Sequence, residues 1–351
     1  MISAHPHIAF GHPRFGLLVA ATLLLTAACG GNKHLYDRDR ALEDQPMGSE
    51  ARPEVLEGDL LVGVRALSDG KIESAHTALT RHVADHADSP LGHYHLGLVA
   101  MEREDWNEAR VRFEQALKLA PELYGAASNL GVVFMRTGED AAALRYLRRA
   151  QAMAPVDPRV VCNLGAALLR RGLWTEAIQT YAEAYKLAPG HATVIYDYAL
   201  ALTWRQEWQR ALTLVEEALQ YRAGFALARA LRVVCLQGMG KLDAALAYAR
   251  LSLEEVEPVA ELHIAHGRVL LARGQVSQGV AALQEAVELD PGSPLALMSL
   301  AEALDVSGRR EDAVFLYRRY LEQHDRSFED SRRVRDRLKQ LKGQGIGKGD
   351  R

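Results

Sequence analysis

From Leu56 onward, apolar residues recur at intervals of three and four in blocks about a dozen residues long. Short polar breaks containing Gly or Pro separate the blocks. This spacing puts the apolar side chains on one face of a helix, so each block predicts an amphipathic helix. The blocks come in pairs, and the pairs recur with a period of 34 residues. Stepping by 34 from Ala75 gives Ala109, Ala143, Ala177, Ala211, Ala245, Gly279 and Ala313, all small. A second column runs Gly63, Gly97, Gly131, Gly165, Ala199, Val233, Gly267, Ala301, and a third runs Gly70, Glu104, Gly138, Gly172, Gln206, Gly240, Gly274, Gly308. Pro121, Pro155, Pro189 and Pro291 close four of the units. Eight small residues in a row at one fixed step would arise by chance with a probability on the order of 10⁻⁵.

Each column has a physical reading. The Gly column, at position 15 of the unit, suits a left-handed turn between two helices. The small residues at positions 8 and 20 are expected to face each other where the helices cross, because a long side chain would wedge them apart. The Pro at position 32 ends the second helix and biases the residue before it away from helix. One pair cannot bury its own apolar face, so stacked pairs must supply the core.

With Leu96–Pro121 (LGLVAMEREDWNEARVRFEQALKLAP) as its fullest copy, this pattern resembles the tetratricopeptide repeat family. The resemblance covers eight gapless units: 56–89, 90–123, 124–157, 158–191, 192–225, 226–259, 260–293 and 294–327. It implies an all-α fold, a right-handed superhelical solenoid of helix-turn-helix units whose first helices line a concave groove. The unit at 226–259 departs most, with Arg232, Val233 and Ala249 in the repeat columns and Glu257 in place of the closing Pro. It reads either as the weakest stacking interface and a bend, or as tolerated drift. After the last unit, residues 328–342 place Val334, Leu338 and Leu341 on one face and predict a polar-backed capping helix, followed by a flexible tail at 343–351.

The N-terminal region follows a different pattern. Phe15–Ala28 is an uncharged apolar run, too short for an ordinary membrane-spanning helix, and residues 1–28 are expected to be a secretory signal. The run ends in Thr26-Ala27-Ala28-Cys29-Gly30, which resembles the lipobox of bacterial lipoproteins, although Thr26 stands where that family usually has Leu, Val or Ile. By that resemblance Cys29 is acylated and becomes the new N-terminus, and Gly30, which is not Asp, implies sorting to the outer membrane facing the periplasm. The alternative is a plain signal peptide cleaved after Ala28, leaving Cys29 as a free thiol. Residues 29–55 lack an apolar period and read as a flexible tether.

Composition then narrows the chemistry. The 351 residues include 54 Ala and 51 Leu, which favours helices over a sandwich or barrel. A net charge of -3 does not indicate a nucleic-acid binder. Three Cys exclude a disulfide-stapled scaffold or a Cys-rich zinc module. The basic excess is confined to residues 326–351, which carry nine basic and four acidic groups. A solvated cap face or a docking patch for an anionic lipid or acidic partner would each account for it.

The family's groove positions suggest a binding site for an extended or helical segment of a partner protein. Asn129 and Asn163 would hydrogen-bond its backbone, and Arg136 and Arg170 would meet its carboxylates. Tyr94, Tyr196 and Trp204 would supply apolar anchors beside Asp197. The carboxylate clamp known from chaperone-binding members is absent, because no Lys-x-x-x-Arg follows the Asn positions and Tyr94, Leu98, Ser128 and Val132 fill the flanking places.

His82 and His86 have the i, i+4 spacing of a metal pair but lack the intervening base of HExxH, so surface or packing roles are expected. Cys162 and Cys235 have no acid–His set nearby in sequence. No metal or cofactor is therefore expected, and no catalytic activity. The expectation is a non-enzymatic, lipid-anchored protein–protein scaffold. It would assist assembly of an envelope machine of pilus, gliding-motility or secretion type, or alternatively serve outer-membrane protein insertion or cell-wall enzymes. Partners would be proteins through the groove and membrane through the lipid, with no nucleic acid; the sequence leaves the oligomeric state open.

Overall fold

The computed structural model describes residues 56–324 and 328–343; the signal, Cys29 and the tether lie outside the described residues. Seventeen α-helices and no strand occur among the described residues. They fall into two compact units that divide between Pro189 and Gly190. The first unit holds α1 (Gly58–Ser68), α2 (Ile72–Asp85), α3 (Pro90–Glu102), α4 (Trp106–Leu119), α5 (Tyr124–Thr137), α6 (Asp140–Met153), α7 (Pro158–Arg170) and α8 (Trp174–Leu187). The second holds α9 (Ala192–Trp204), α10 (Trp208–Tyr221), α11 (Ala226–Gly238), α12 (Leu242–Glu255), α13 (Ala260–Ala272), α14 (Val276–Leu289), α15 (Pro294–Val306), α16 (Arg310–His324) and α17 (Phe328–Gly343). Odd and even members up to α16 form successive antiparallel pairs, and within each unit a pair packs on its sequence neighbours. The result is an all-α helical repeat.

Local signals start and stop these helices. Ser89, Asp157 and Ser293 each accept a hydrogen bond from a backbone N–H in the first turn of the helix that follows, and a Pro occupies the first helical position. The turn inside each pair uses the left-handed region. Gly70, Gly138, Gly172, Gly240, Gly274 and Gly308 have φ between 70° and 84°. Glu104 and Gln206, the two non-glycine members of that column, adopt φ 59° all the same. The turn geometry is therefore imposed by the packing of the pair, with or without the residue that best tolerates it.

The crossing of the two helices adds a second close contact to the expected one between positions 8 and 20. At Gly97 an added Cβ would lie 2.6 Å from the Phe113 ring, and at Gly131 it would lie 2.5 Å from Leu147 Cγ. The glycine at position 8 thus makes room for the large side chain at position 24, one turn beyond the small residue at position 20. Positions 8 and 20 also approach each other: a Cβ on Gly63 would lie 3.4 Å from the Ala75 carbonyl oxygen, and one on Gly267 would meet the Gly279 carbonyl at 3.0 Å, with the reverse also true. The position-20 column is fully buried from Ala75 through Ala313.

The pair α11/α12 carries the sequence departures, and its packing compensates for them. Val233 and Ala249 occupy the places held elsewhere by a small and a large residue, and both are fully buried. Swapping small for large across one contact conserves volume, which cores tolerate best. Arg232 lies over the Tyr248 ring at 4.3 Å and donates to Glu216 at 3.1 Å. The difference appears in the exit from α12, where Val256 has ψ 159°, against 65–89° at the equivalent Ala120, Ala154, Ala188 and Asp290. At Arg222 the usual exit forms without a following Pro, so that proline reinforces the bend without being required for it.

Helix α17 closes the second unit. Val334 and Leu341 are buried against it, with Ser331 and Leu338, while Arg337 donates to both carboxylate oxygens of Asp305 at 2.5 and 2.8 Å.

Candidate binding face

The residues expected to line a groove lie on the first helices of their pairs. Tyr94 is on α3, Asn129 and Arg136 are on α5, and Asn163 and Arg170 are on α7, all in the first unit. Tyr196, Asp197 and Trp204 are on α9 and belong to the second.

In the first unit the two asparagines form a ladder that ties successive pairs together. Asn129 Nδ2 donates to Tyr94 Oη at 3.4 Å, and Asn163 Nδ2 donates to Ser128 Oγ at 3.0 Å. Each bond runs from position 6 of one unit to position 5 of the unit before it. Asn163 is buried, so its amide acts inside the stack, whereas Asn129 is half-exposed. Tyr94 is buried with its ring 5.9 Å from Phe113.

Both arginines are held by the second helix of the preceding pair. The Arg136 guanidinium lies over the Trp106 ring at 5.2 Å, a cation–π contact. Arg170 Nε donates to Asp140 at 2.8 Å. Gly238 occupies the equivalent position in α11, and a Cβ there would meet the Trp208 ring at 2.5 Å. Position 13 is therefore a contact between repeats. It leaves the guanidinium heads of Arg136 and Arg170 partly exposed, with their geometry already set.

Between these side chains runs a stripe that includes small or apolar residues at groove positions of the repeat. On α5, Gly125, Asn129, Val132 and Arg136 are half-exposed at spacings of four, three and four, while most of the helix is buried. On α7, Arg159, Ala166 and Arg170 continue the pattern. The small or short side chains at Gly125, Val132 and Ala166 leave backbone approachable between polar neighbours. They occupy positions 2 and 9 of the repeat, both of which the family's groove pattern includes.

On α9, Tyr196 is buried against Phe225 with ring centroids 5.1 Å apart, and Trp204 is half-buried. Burial pushes the Asp197 carboxyl up to about 8 and the His95 imidazole on α3 down to about 4. The other candidate groups serve packing. His82 shares a hydrogen bond of 2.9 Å with Ser89 and stacks on His86, and His93 Nε2 lies 3.2 Å from the Ala87 carbonyl oxygen. Cys162 and Cys235 are buried, and burial with the nearby Glu216 charge pushes the Cys235 thiol up to about 12, which keeps it out of thiolate chemistry. No group of three or more metal-ligating side chains occurs among the described residues.

The tetratricopeptide repeat family model matches residues 94–158, 141–192 and 264–327, and supports the reading of the chain as a tetratricopeptide repeat protein. Solved structures agree at the level of fold. A tetratricopeptide repeat protein from Parabacteroides merdae is 16% identical with a TM-score of 0.59, the match covering 70% of this chain and 97% of that one. Yeast Tom70 is 14% identical with a TM-score of 0.58, covering 96% of this chain and 76% of its own. The Cut9–Hcn1 hetero-tetramer of the APC/C is 17% identical with a TM-score of 0.59, covering 81% of this chain and 54% of that one. No curated protein sequence matches the chain.

Proposed function

We propose that this tetratricopeptide-type protein is a non-catalytic scaffold that binds a segment of a partner protein along the first helices of its repeats. The observation that carries the reading is the half-exposed stripe on α5 and α7, in which polar heads alternate with Gly125, Val132 and Ala166. A packed helix that keeps one such line open can accept the backbone of an extended or helical segment at close range. Asn129, Arg136 and Arg170 would supply its polar contacts, and Tyr196, Asp197 and Trp204 would extend the same role to the second unit. Asn163 and Tyr94 support the face from within.

The lipobox-like Thr26–Gly30 motif favours anchoring through Cys29, with the repeats facing the periplasm. In that setting the scaffold would assist assembly of an envelope machine of pilus, gliding-motility or secretion type. Service to outer-membrane protein insertion or cell-wall enzymes is the alternative. Labelled palmitate tests the anchor: incorporation should vanish in Cys29→Ala, and label that persists in the variant sinks it.

The binding face is best tested at its half-exposed apolar positions. Val132→Glu combined with Ala166→Trp should abolish recovery of crosslinked partners from cells while leaving helicity and thermal midpoint unchanged. Partners recovered at wild-type yield from a folded double variant would refute the assignment.

A further inference from the structure

The six basic residues of α17 divide into two sets. Arg333 and Arg337 turn toward α15, where Arg333 approaches Glu302 to 3.7 Å and Arg337 holds Asp305. Arg332, Arg335, Lys339 and Lys342 are exposed instead. They follow one another at spacings of three, four and three, so they stand in one stripe along three turns, about 15 Å at 1.5 Å per residue. Asp336 meets the stripe at Lys339, 3.4 Å away, but both are exposed and such a pair holds weakly. A cap needs only a face that water tolerates, and mixed charges would serve that need as well as a row of four cations.

We infer that this stripe is an electrostatic docking surface for an anionic lipid bilayer. The chemistry around it favours a bilayer over a macromolecular partner. The exposed described residues of α17 are Arg332, Arg335, Asp336, Lys339, Gln340 and Lys342, with no apolar side chain that could seat in a protein pocket as an anchor. Nor does the stripe carry an aromatic ring on which a nucleic-acid base could stack. A bilayer surface requires neither. It attracts each basic side chain within a Debye length, and about fivefold in affinity per residue accumulates along a helix lying flat. The rest of the chain completes the argument. The whole carries -3 while residues 326–351 carry nine basic and four acidic groups, so the other residues sum to about -8. A negative surface repels the bulk of the protein and attracts this end.

The test uses the full chain and two kinds of vesicle, pure phosphatidylcholine and phosphatidylcholine mixed with phosphatidylglycerol. The N-terminal segment contributes to both, so the readout is the ratio of the two affinities. Wild type should favour the anionic vesicles, and R332Q/R335Q/K339Q/K342Q should reduce that preference by several hundredfold at low salt. Arg333 and Arg337 are retained so that the cap stays docked, which circular dichroism checks. Should the fourfold variant lose its fold, R332Q/K339Q and a salt titration of wild type provide the same reading, because screening must erase the preference. Equal binding of wild type to both vesicle types overturns the proposal. So does an anionic preference that the substitutions leave unchanged, or capture of an acidic protein or nucleic acid by the stripe without lipid preference. None of these outcomes bears on the α5–α7 face, whose substitutions lie elsewhere.

Discussion

Glu104 and Gln206 show what a repeat imposes on a single residue. Both take the left-handed conformation that six glycines take at the same position. An L-residue there costs about 1–2 kcal/mol, partly offset because Gly loses more entropy on folding. Glu104→Gly and Gln206→Gly should therefore each raise stability by about 0.5–1 kcal/mol, read as a shift of the urea midpoint. Gly240→Ala should lower it by about 1 kcal/mol, with conformation as the sole cause, because nothing lies within 4 Å of the new methyl. His266 on α13 illustrates a second residue-level conflict, since its equivalents Leu96, Leu130, Leu164 and Leu300 fill the same place with hydrocarbon. Burial, then Arg250 and His263, push its imidazole down to about 4. The folded state thus binds fewer protons than the unfolded one between pH 4 and about 6.5, and stability present above 6.5 drains away as pH falls through that window. His95, lowered by burial alone, adds a slope of the same sign. His266→Leu should shrink the gap between urea midpoints measured at pH 7 and pH 5; an unchanged gap would show that the imidazole titrates normally.

At the scale of the element, the helix pair is the unit of meaning, and what it conserves is volume. Gly97 opposite Phe113 and Val233 opposite Ala249 solve one packing problem in opposite senses. Ala249→Leu alone should cost about 1–3 kcal/mol through overpacking, and Val233→Gly in the same chain should recover most of it. A double-mutant cycle would read this as a coupling of about 1 kcal/mol or more. Strict additivity would mean that the two side chains do not share the space. The period and the turn column made the pairs legible in the sequence. Which small residue faces which large one was not legible, because Ala and Gly stand at both position 8 and position 20, and only the crossing geometry selects position 24. The ladder through Asn129 and Asn163 was hidden for a related reason. A primary amide at a groove position suits a ligand and a neighbouring repeat equally well, and only the placement of Tyr94 Oη and Ser128 Oγ shows the neighbour engaged.

For the whole molecule, stability should be graded along the array, because each pair leans on its neighbours. Val62 on α1 is 53% exposed, whereas Leu130 and Leu164 at the same position are 0% and 3% exposed beneath a preceding pair. Amides of α1 and α2 should accordingly exchange with solvent faster than those of α5 and α6, and uniform protection across the four helices would contradict this picture. The sequence by itself determined the number, order and pairing of the helices. A 34-residue period of apolar, small and turn residues admits one local solution, and that solution is decided by contacts between near neighbours. Tertiary structure decided how each polar side chain is used. Arg170 ends α7 and Arg337 lies in the middle of α17; Asp140 holds one within the stack and Asp305 holds the other at the cap. Whether a charged head faces a neighbour or solvent depends on what the next helix brings within about 3 Å, and periodicity fixes the face of a helix without naming the atom across from it.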